Sequence, residues 1–180
     1  MKALKRIGFA VLLLLVAVLT LAVFVPKDCE VQREITINRP ASEVFEYVKY
    51  LKNQDKFSAW SNMDPVMKRA YYGQDGEIGF VSTCKSKRPD VGKREHKIVA
   101  IENGKRIDYE WNLTKPFKST YRAYLITESV GPSETKVTWG FSGDMGYPGN
   151  LRLLALDVEE AVGEDFESGL VKLKRIMESR

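Results

Sequence analysis

From Ile7 to Pro26 the chain carries no charged side chain, and the run IGFAVLLLLVAVLTLAVFVP is dominated by Leu, Val and Ala. At a rise of 1.5 Å per residue, about 20 helical residues cross a hydrocarbon layer of ~30 Å. A helix in a soluble core keeps a polar stripe, and this run has none, so it predicts one membrane-spanning helix over residues 7–26. A secretory signal opens in the same way, with Lys2, Lys5 and Arg6 ahead of an apolar run and Thr20 and Ala22 as small residues for cleavage. The apolar core of such a signal is only ~7–15 residues long, and continuation through Val23, Phe24 and Val25 favours an uncleaved anchor. Cys29 follows Pro26, Lys27 and Asp28 rather than small apolar residues, which argues against lipidation.

Charge on the two flanks sets the orientation. Lys2, Lys5 and Arg6 precede the run with no acid among them, whereas Asp28, Glu30 and Glu34 offset Lys27 and Arg33 beyond it. The N-terminus is therefore expected in the cytoplasm and the rest of the chain outside it, on the periplasmic side in a bacterium. Residues 1–29 read as tail, anchor and linker, and residues 30–180 as one folded domain of roughly 150 residues. The formal charge of the whole chain is +4, most of it in the N-terminal tail. A nearly neutral domain gives no electrostatic basis for nucleic-acid binding. Cys29 and Cys84 show neither a CxxC spacing nor a histidine cluster, so no metal or other cofactor is expected. An extracytoplasmic domain permits their pairing, but nothing in the sequence places them together and two separate thiols are the expectation.

Beyond the anchor, short strands and helices follow one another. Val31, Ile35 and Ile37 share one parity in a strand over 31–38, and Pro40 then opens a helix over 41–51 whose Val44, Phe45 and Val48 form one face. A second short helical or turn segment reaches Trp60. Strands are predicted over 68–72, 78–85, 93–101, 106–113, 120–128 and 135–142. Gly73-Gln-Asp-Gly76 and Glu102-Asn-Gly-Lys105 are turn signals between them, and Val130-Gly-Pro-Ser133 is a loop. From Asn150 to about Ser179, Leu154, Val158, Val162, Phe166, Leu170, Leu173 and Met177 recur every three or four residues as one buried helical face. Gly163 is a candidate interruption of that helix.

This order resembles the START-like helix-grip superfamily, in particular its polyketide cyclase/dehydrase-like (SRPBCC) family, which shares it with the birch-pollen allergen. The resemblance covers about residues 31–178. It rests on REITINRPASEVFEYV at 33–48, the W-S-x-x-D-P segment Trp60 to Pro65, Gly73 to Gly79, ETKVTWGFSG at 134–143 and EDFESGLVKLK at 164–174. It implies an α+β helix-grip fold, with a curved antiparallel sheet of about seven strands around the C-terminal helix and an apolar cavity between them. Such members bind lipids, steroids or polyketides, and a few catalyse cyclisation or dehydration. Where many relatives carry an aromatic in the third strand, this chain has Val81-Ser-Thr-Cys84 and then the basic loop Lys85 to Arg88, which points to a more polar cavity mouth.

Strand parity selects the lining of that implied cavity. Ile107, Tyr109, Trp111 and Leu113 share one face, as do Val137, Trp139 and Phe141, and Tyr121, Ala123 and Leu125. Ile98 and Ala100 bring Arg94 and His96 to their own face. Tyr109, Trp111 and Trp139 are expected to make most of the ligand contact, with Phe141, Tyr121 and Phe166 beside them and His96 near a polar end. His96 is the single histidine, and no nucleophile motif accompanies it, which leaves it a weak catalytic candidate. Asp64, Asp144, Asp157, Glu159 and Glu160 need no role beyond solvation. The favoured function is a membrane-anchored binder of an apolar small molecule or lipid. The alternatives are a cyclase/dehydrase-type enzyme, using His96, Tyr109 and Tyr121, and an interaction module of a membrane complex.

Overall fold

The computed structural model describes residues 2–88, 91–115, 119–154 and 157–180. An N-terminal helix α1 (Lys2–Phe24) begins earlier and ends sooner than the uncharged run. Its segment Lys5–Phe24 is long and apolar enough to cross a membrane, as is also true of a signal sequence, and almost none of it is covered by the rest of the chain.

Seven strands form one antiparallel sheet: β1 (Asp28–Ile37), β2 (Lys68–Tyr72), β3 (Val81–Lys85), β4 (Lys93–Glu102), β5 (Arg106–Lys115), β6 (Ser119–Gly131) and β7 (Glu134–Asp144). Their spatial order is β1-β7-β6-β5-β4-β3-β2, so the first strand closes on the last and the others form a meander. Because β1 starts at Asp28, Cys29 lies in the sheet opposite Gly143 rather than in a linker. Both cysteines are free thiols. The strand expected from Ile78 begins only at Val81, since Glu77 to Phe80 is a turn closed by the Phe80 N–H donating to the Glu77 carbonyl at 3.1 Å.

Helices α2 (Ala41–Val48) and α3 (Leu51–Phe57) cover part of the inner face. The helix expected over 41–51 stops at Val48, because Tyr50 is extended, and helical geometry restarts at Leu51 with α3, the second short segment expected up to Trp60. The Gly73 to Gly76 turn delivers Asp75 to that restart, where its carboxylate accepts from the N–H groups of Leu51 at 2.8 Å and Lys52 at 3.2 Å. These are donors that a helix start leaves without an internal partner.

The long helix α4 (Val158–Glu178) lies across the sheet and buries Phe166, Leu170, Leu173 and Met177, a spacing of three or four residues that makes one continuous stripe. Its N-terminal boundary corrects the sequence reading. Residues from Gly149 to Leu154 form a separate 3₁₀ turn, Leu154 is 62% exposed rather than buried, and Asp157 caps α4 by accepting from the Glu160 N–H at 2.9 Å. Gly163 does not interrupt α4. Its missing Cβ makes room for the Arg33 guanidinium, which would lie 2.2 Å from such an atom and which pairs with Glu159 at 2.7 Å.

A second correction concerns β4. A bulge at Val99 shifts the register between Ile98 and Ala100, so Ala100 turns outward opposite Asp108 and Ile101 turns inward opposite Ile107. One extra residue reverses every later side chain, which is why alternation failed from Ala100 onward.

Candidate ligand cavity

Between α4 and the concave face of the sheet lies a cavity of about 290 Å³. Trp111 and Leu113 of β5, Tyr121 of β6, and Trp139 and Phe141 of β7 form its sheet wall, while α4 contributes Val158, Val162, Asp165 and Phe166. The aromatic rings brace one another: Trp139 stacks on Phe166 with centroids 4.7 Å apart, and Tyr121 lies 5.0 Å from Phe141. Gly169 lets α4 approach this wall, since a Cβ there would meet the Trp139 ring at 2.8 Å and the Phe57 carbonyl at 3.3 Å. Packing of this kind holds an apolar surface in fixed shape.

Of the residues singled out by sequence, Trp111, Trp139, Phe141, Tyr121 and Phe166 share the cavity wall. Tyr109 and His96 do not reach it. Tyr109 is fully buried, with its hydroxyl accepting from the Gln54 amide, and burial drives its acidity far below that of a free phenol. His96 stands behind Trp111, edge-on to it at 5.5 Å and to Tyr109 at 4.7 Å. Burial, with Arg94 adding to it, holds the imidazole well below its usual pKa and therefore neutral. Its Nε2 has no hydrogen-bond partner among the described residues.

The polar groups at the wall are ones that sequence reasoning passed over. Arg94 of β4 lies with its guanidinium 3.6 Å from the ring centroid of Trp60 and 4.8 Å from that of Trp111. Burial lowers its pKa to about 10, so it stays protonated at neutral pH. Asp165 reaches the cavity from α4, and burial raises its carboxyl pKa against the opposing influence of Arg94. A signal existed for both: Arg94 shares the inward parity of His96 and Ile98, and Asp165 lies three residues after Val162 on the apolar face of α4. Trp60 and Met145 enter from loops, where no periodicity marks a side chain as inward.

The other candidate carboxylates have structural work. Asp64 is buried rather than solvated, accepting from the Ser86 hydroxyl and from the Val66 N–H at 3.0 Å. It thereby ties the basic loop after β3 to the loop after Trp60. Cys84 packs with Met67, Val91 and Trp60 in a small separate cluster, and burial raises its thiol pKa.

The same end of the domain holds the C-terminus of α1. The buried Asn150 side chain donates to the carbonyls of Ala22 at 2.6 Å and Val25 at 2.8 Å, and the Tyr147 hydroxyl donates to Leu19 at 3.2 Å. The Ala22 carbonyl is one that the end of α1 leaves open. The Met145 N–H donates to Lys27 at 2.9 Å, and the Met145 side chain lines the cavity. One short segment thus forms both the seat of α1 and part of the cavity wall.

Solved structures of the same fold include a Mesorhizobium loti protein, 16% identical over 84% of this chain and 98% of its own, with a TM-score of 0.60. Norcoclaurine synthase from Thalictrum flavum, solved with dopamine and hydroxybenzaldehyde, is 10% identical over 85% of this chain and 88% of its own, also with a TM-score of 0.60. A Thermobifida fusca protein is 20% identical over 81% of this chain and 90% of its own, at 0.55. At such identities the likeness shows the helix-grip fold alone. No curated protein matches significantly. The model of the family described as polyketide cyclase / dehydrase and lipid transport matches residues 28–178, the whole of the sheet and of α4, and the chain belongs to that family.

Proposed function

We propose that the chain is a membrane-anchored binding protein that holds an apolar small molecule or lipid between its sheet and α4. The observation that carries this reading is the aromatic-walled cavity beside the end of an apolar helix. Its volume, about 290 Å³, is at the small end of the ~300–1,000 Å³ common for ligand sites, which favours a single-chain or few-ring molecule over a two-chain phospholipid. Retention of α1 gains support from Asn150, because cleavage near Ala22 would strip a fully buried amide of an acceptor, at a cost of about 1–3 kcal/mol. The N-terminus is taken as cytoplasmic and the domain as extracytoplasmic on the basis of the flanking charges.

Cyclase or dehydrase chemistry is the second reading, favoured by one observation: Asp165, a carboxyl of raised pKa, faces the cavity. In that case Asp165 and Tyr121, rather than His96, would meet a substrate. An interaction module has less support, since it calls for a filled interior.

The chain's three tryptophans all line the cavity, so intrinsic fluorescence reports on it directly. Full-length protein purified in detergent should release an apolar compound into organic solvent, identified by mass spectrometry, and should give a saturable tryptophan response to that compound. Trp111→Ala should weaken binding by about 1–3 kcal/mol, on the scale of burying one large side chain. An empty extract together with no saturable response to fatty acids, isoprenoids or aromatic polyketide mimics would defeat the proposal. Turnover lost specifically in Asp165→Asn would replace it with the enzyme reading.

A further inference from the structure

Arg94 is placed in an unusual way for a charged residue in an apolar wall. Its guanidinium carbon lies over the rings of Trp60 and Trp111, 3.6 Å and 4.8 Å from their centroids. Among the described residues its nitrogens have no hydrogen-bond partner, and no carboxylate lies within 4 Å, although Asp165 faces the same cavity. A guanidinium is planar and weakly hydrated, and it tolerates aromatic stacking while its five N–H groups remain directed outward in the plane. The two ring contacts satisfy the charge of Arg94 without using its N–H groups, and those are the groups that grip a carboxylate through two parallel bonds. Among the described residues, Asp165 is the one carboxylate at the wall.

We infer that Arg94 receives the carboxylate of the ligand, so that the cavity takes an apolar carboxylic acid with one chain or a small ring system, its tail lying against Trp139, Phe141 and Phe166. This inference rests on the cavity-binder reading and adds the head-group chemistry to it. The acid's oxygens accept from the Arg94 edge. Asp165 lines the same cavity as the group that an incoming anion must tolerate, and burial raises its carboxyl pKa, which lessens the repulsion without removing it.

The test uses full-length protein in detergent micelles and three probes that share one tail, decanoate, decan-1-ol and decylamine, each titrated against tryptophan fluorescence at neutral pH. Decanoate should bind about tenfold tighter than decanol, a charge-assisted pair being roughly twice as strong as a neutral one. Arg94→Met keeps an unbranched apolar side chain against Trp60 and Trp111 and should erase that preference while leaving decanol nearly unchanged. Arg94→Lys keeps the charge without the fork and should retain part of the preference. Asp165→Asn should tighten decanoate and weaken decylamine, giving a readout that does not depend on whether the Arg94 variants fold. If decanol saturates but decanoate gains nothing over it, or if the gain survives in Arg94→Met, the head-group inference fails and the cavity reading stands. If no probe saturates, both fail together.

Discussion

His96 shows how a single side chain can be placed on the inward face and still lie behind the cavity wall rather than on it. Alternation along β4 turned it inward, as found, but parity does not say whether an inward residue meets a cavity or another ring, and His96 meets Tyr109 and Trp111. Its neutral, buried state has a measurable consequence. An unfolded histidine takes up a proton below about pH 6.5, while the folded one does not until far lower pH, so the unfolded state binds more protons in that interval. Stability should be fully present above that pH and fall as pH drops, by up to about 1.4 kcal/mol per unit between roughly pH 6.5 and 5. Urea midpoints across this window should show the slope in the native chain and a flatter line in His96→Asn; equal slopes would remove His96 as the cause. The five aromatic residues that parity and helical spacing did bring to the wall were legible because each is large, apolar and in regular structure. Arg94 was put on the inward face by the same parity, but parity alone gave no reason to name a charged side chain among the ligand contacts.

Two glycines of α4 make a comparison at the level of the element. Gly163 and Gly169 each leave space for a side chain from the sheet, but the neighbours differ in freedom. At Gly163 an added methyl meets the mobile end of Arg33, whose ion pair with a largely exposed Glu159 contributes about 0–1 kcal/mol. Replacing glycine by alanine inside a helix returns about 1 kcal/mol, so Gly163→Ala should change stability by less than about 1 kcal/mol and toward the stabilised side. At Gly169 the methyl meets the packed Trp139 ring and the Phe57 carbonyl, neither of which can withdraw. Gly169→Ala should therefore destabilise by about 1–3 kcal/mol despite the same helical gain, and should perturb tryptophan emission. Denaturation midpoints of the two variants shifting in the same direction would contradict this account. The helix itself was plain in the sequence from its apolar spacing, whereas its starting point was not. Leu154 continues the spacing backward by one step, yet Asp157 caps the helix three residues later, and a local capping bond overrides a periodic pattern.

At the scale of the molecule, the order of elements was readable because strand alternation, turn signals and the final amphipathic helix all agreed. The contact between α1 and the domain was not, since Tyr147 lies in a loop and Asn150 was read as the start of the long helix rather than as part of a separate turn. Protease added to cells stripped of their wall should digest the domain if the anchor runs as proposed. A protected domain would reverse the orientation, and a mature N-terminus near Val23 would turn the anchor into a cleaved signal. The seat that Asn150 provides also limits reach. Between Phe24 and Asp28 only Val25, Pro26 and Lys27 intervene, a leash of about 10 Å even at full stretch, and the amide of Asn150 takes up part of it. Under the proposed anchoring, a domain held so short would not roam the aqueous compartment in search of an acceptor. The ligand it is proposed to carry would be loaded and handed over close to the bilayer surface, to partners that come to the membrane themselves.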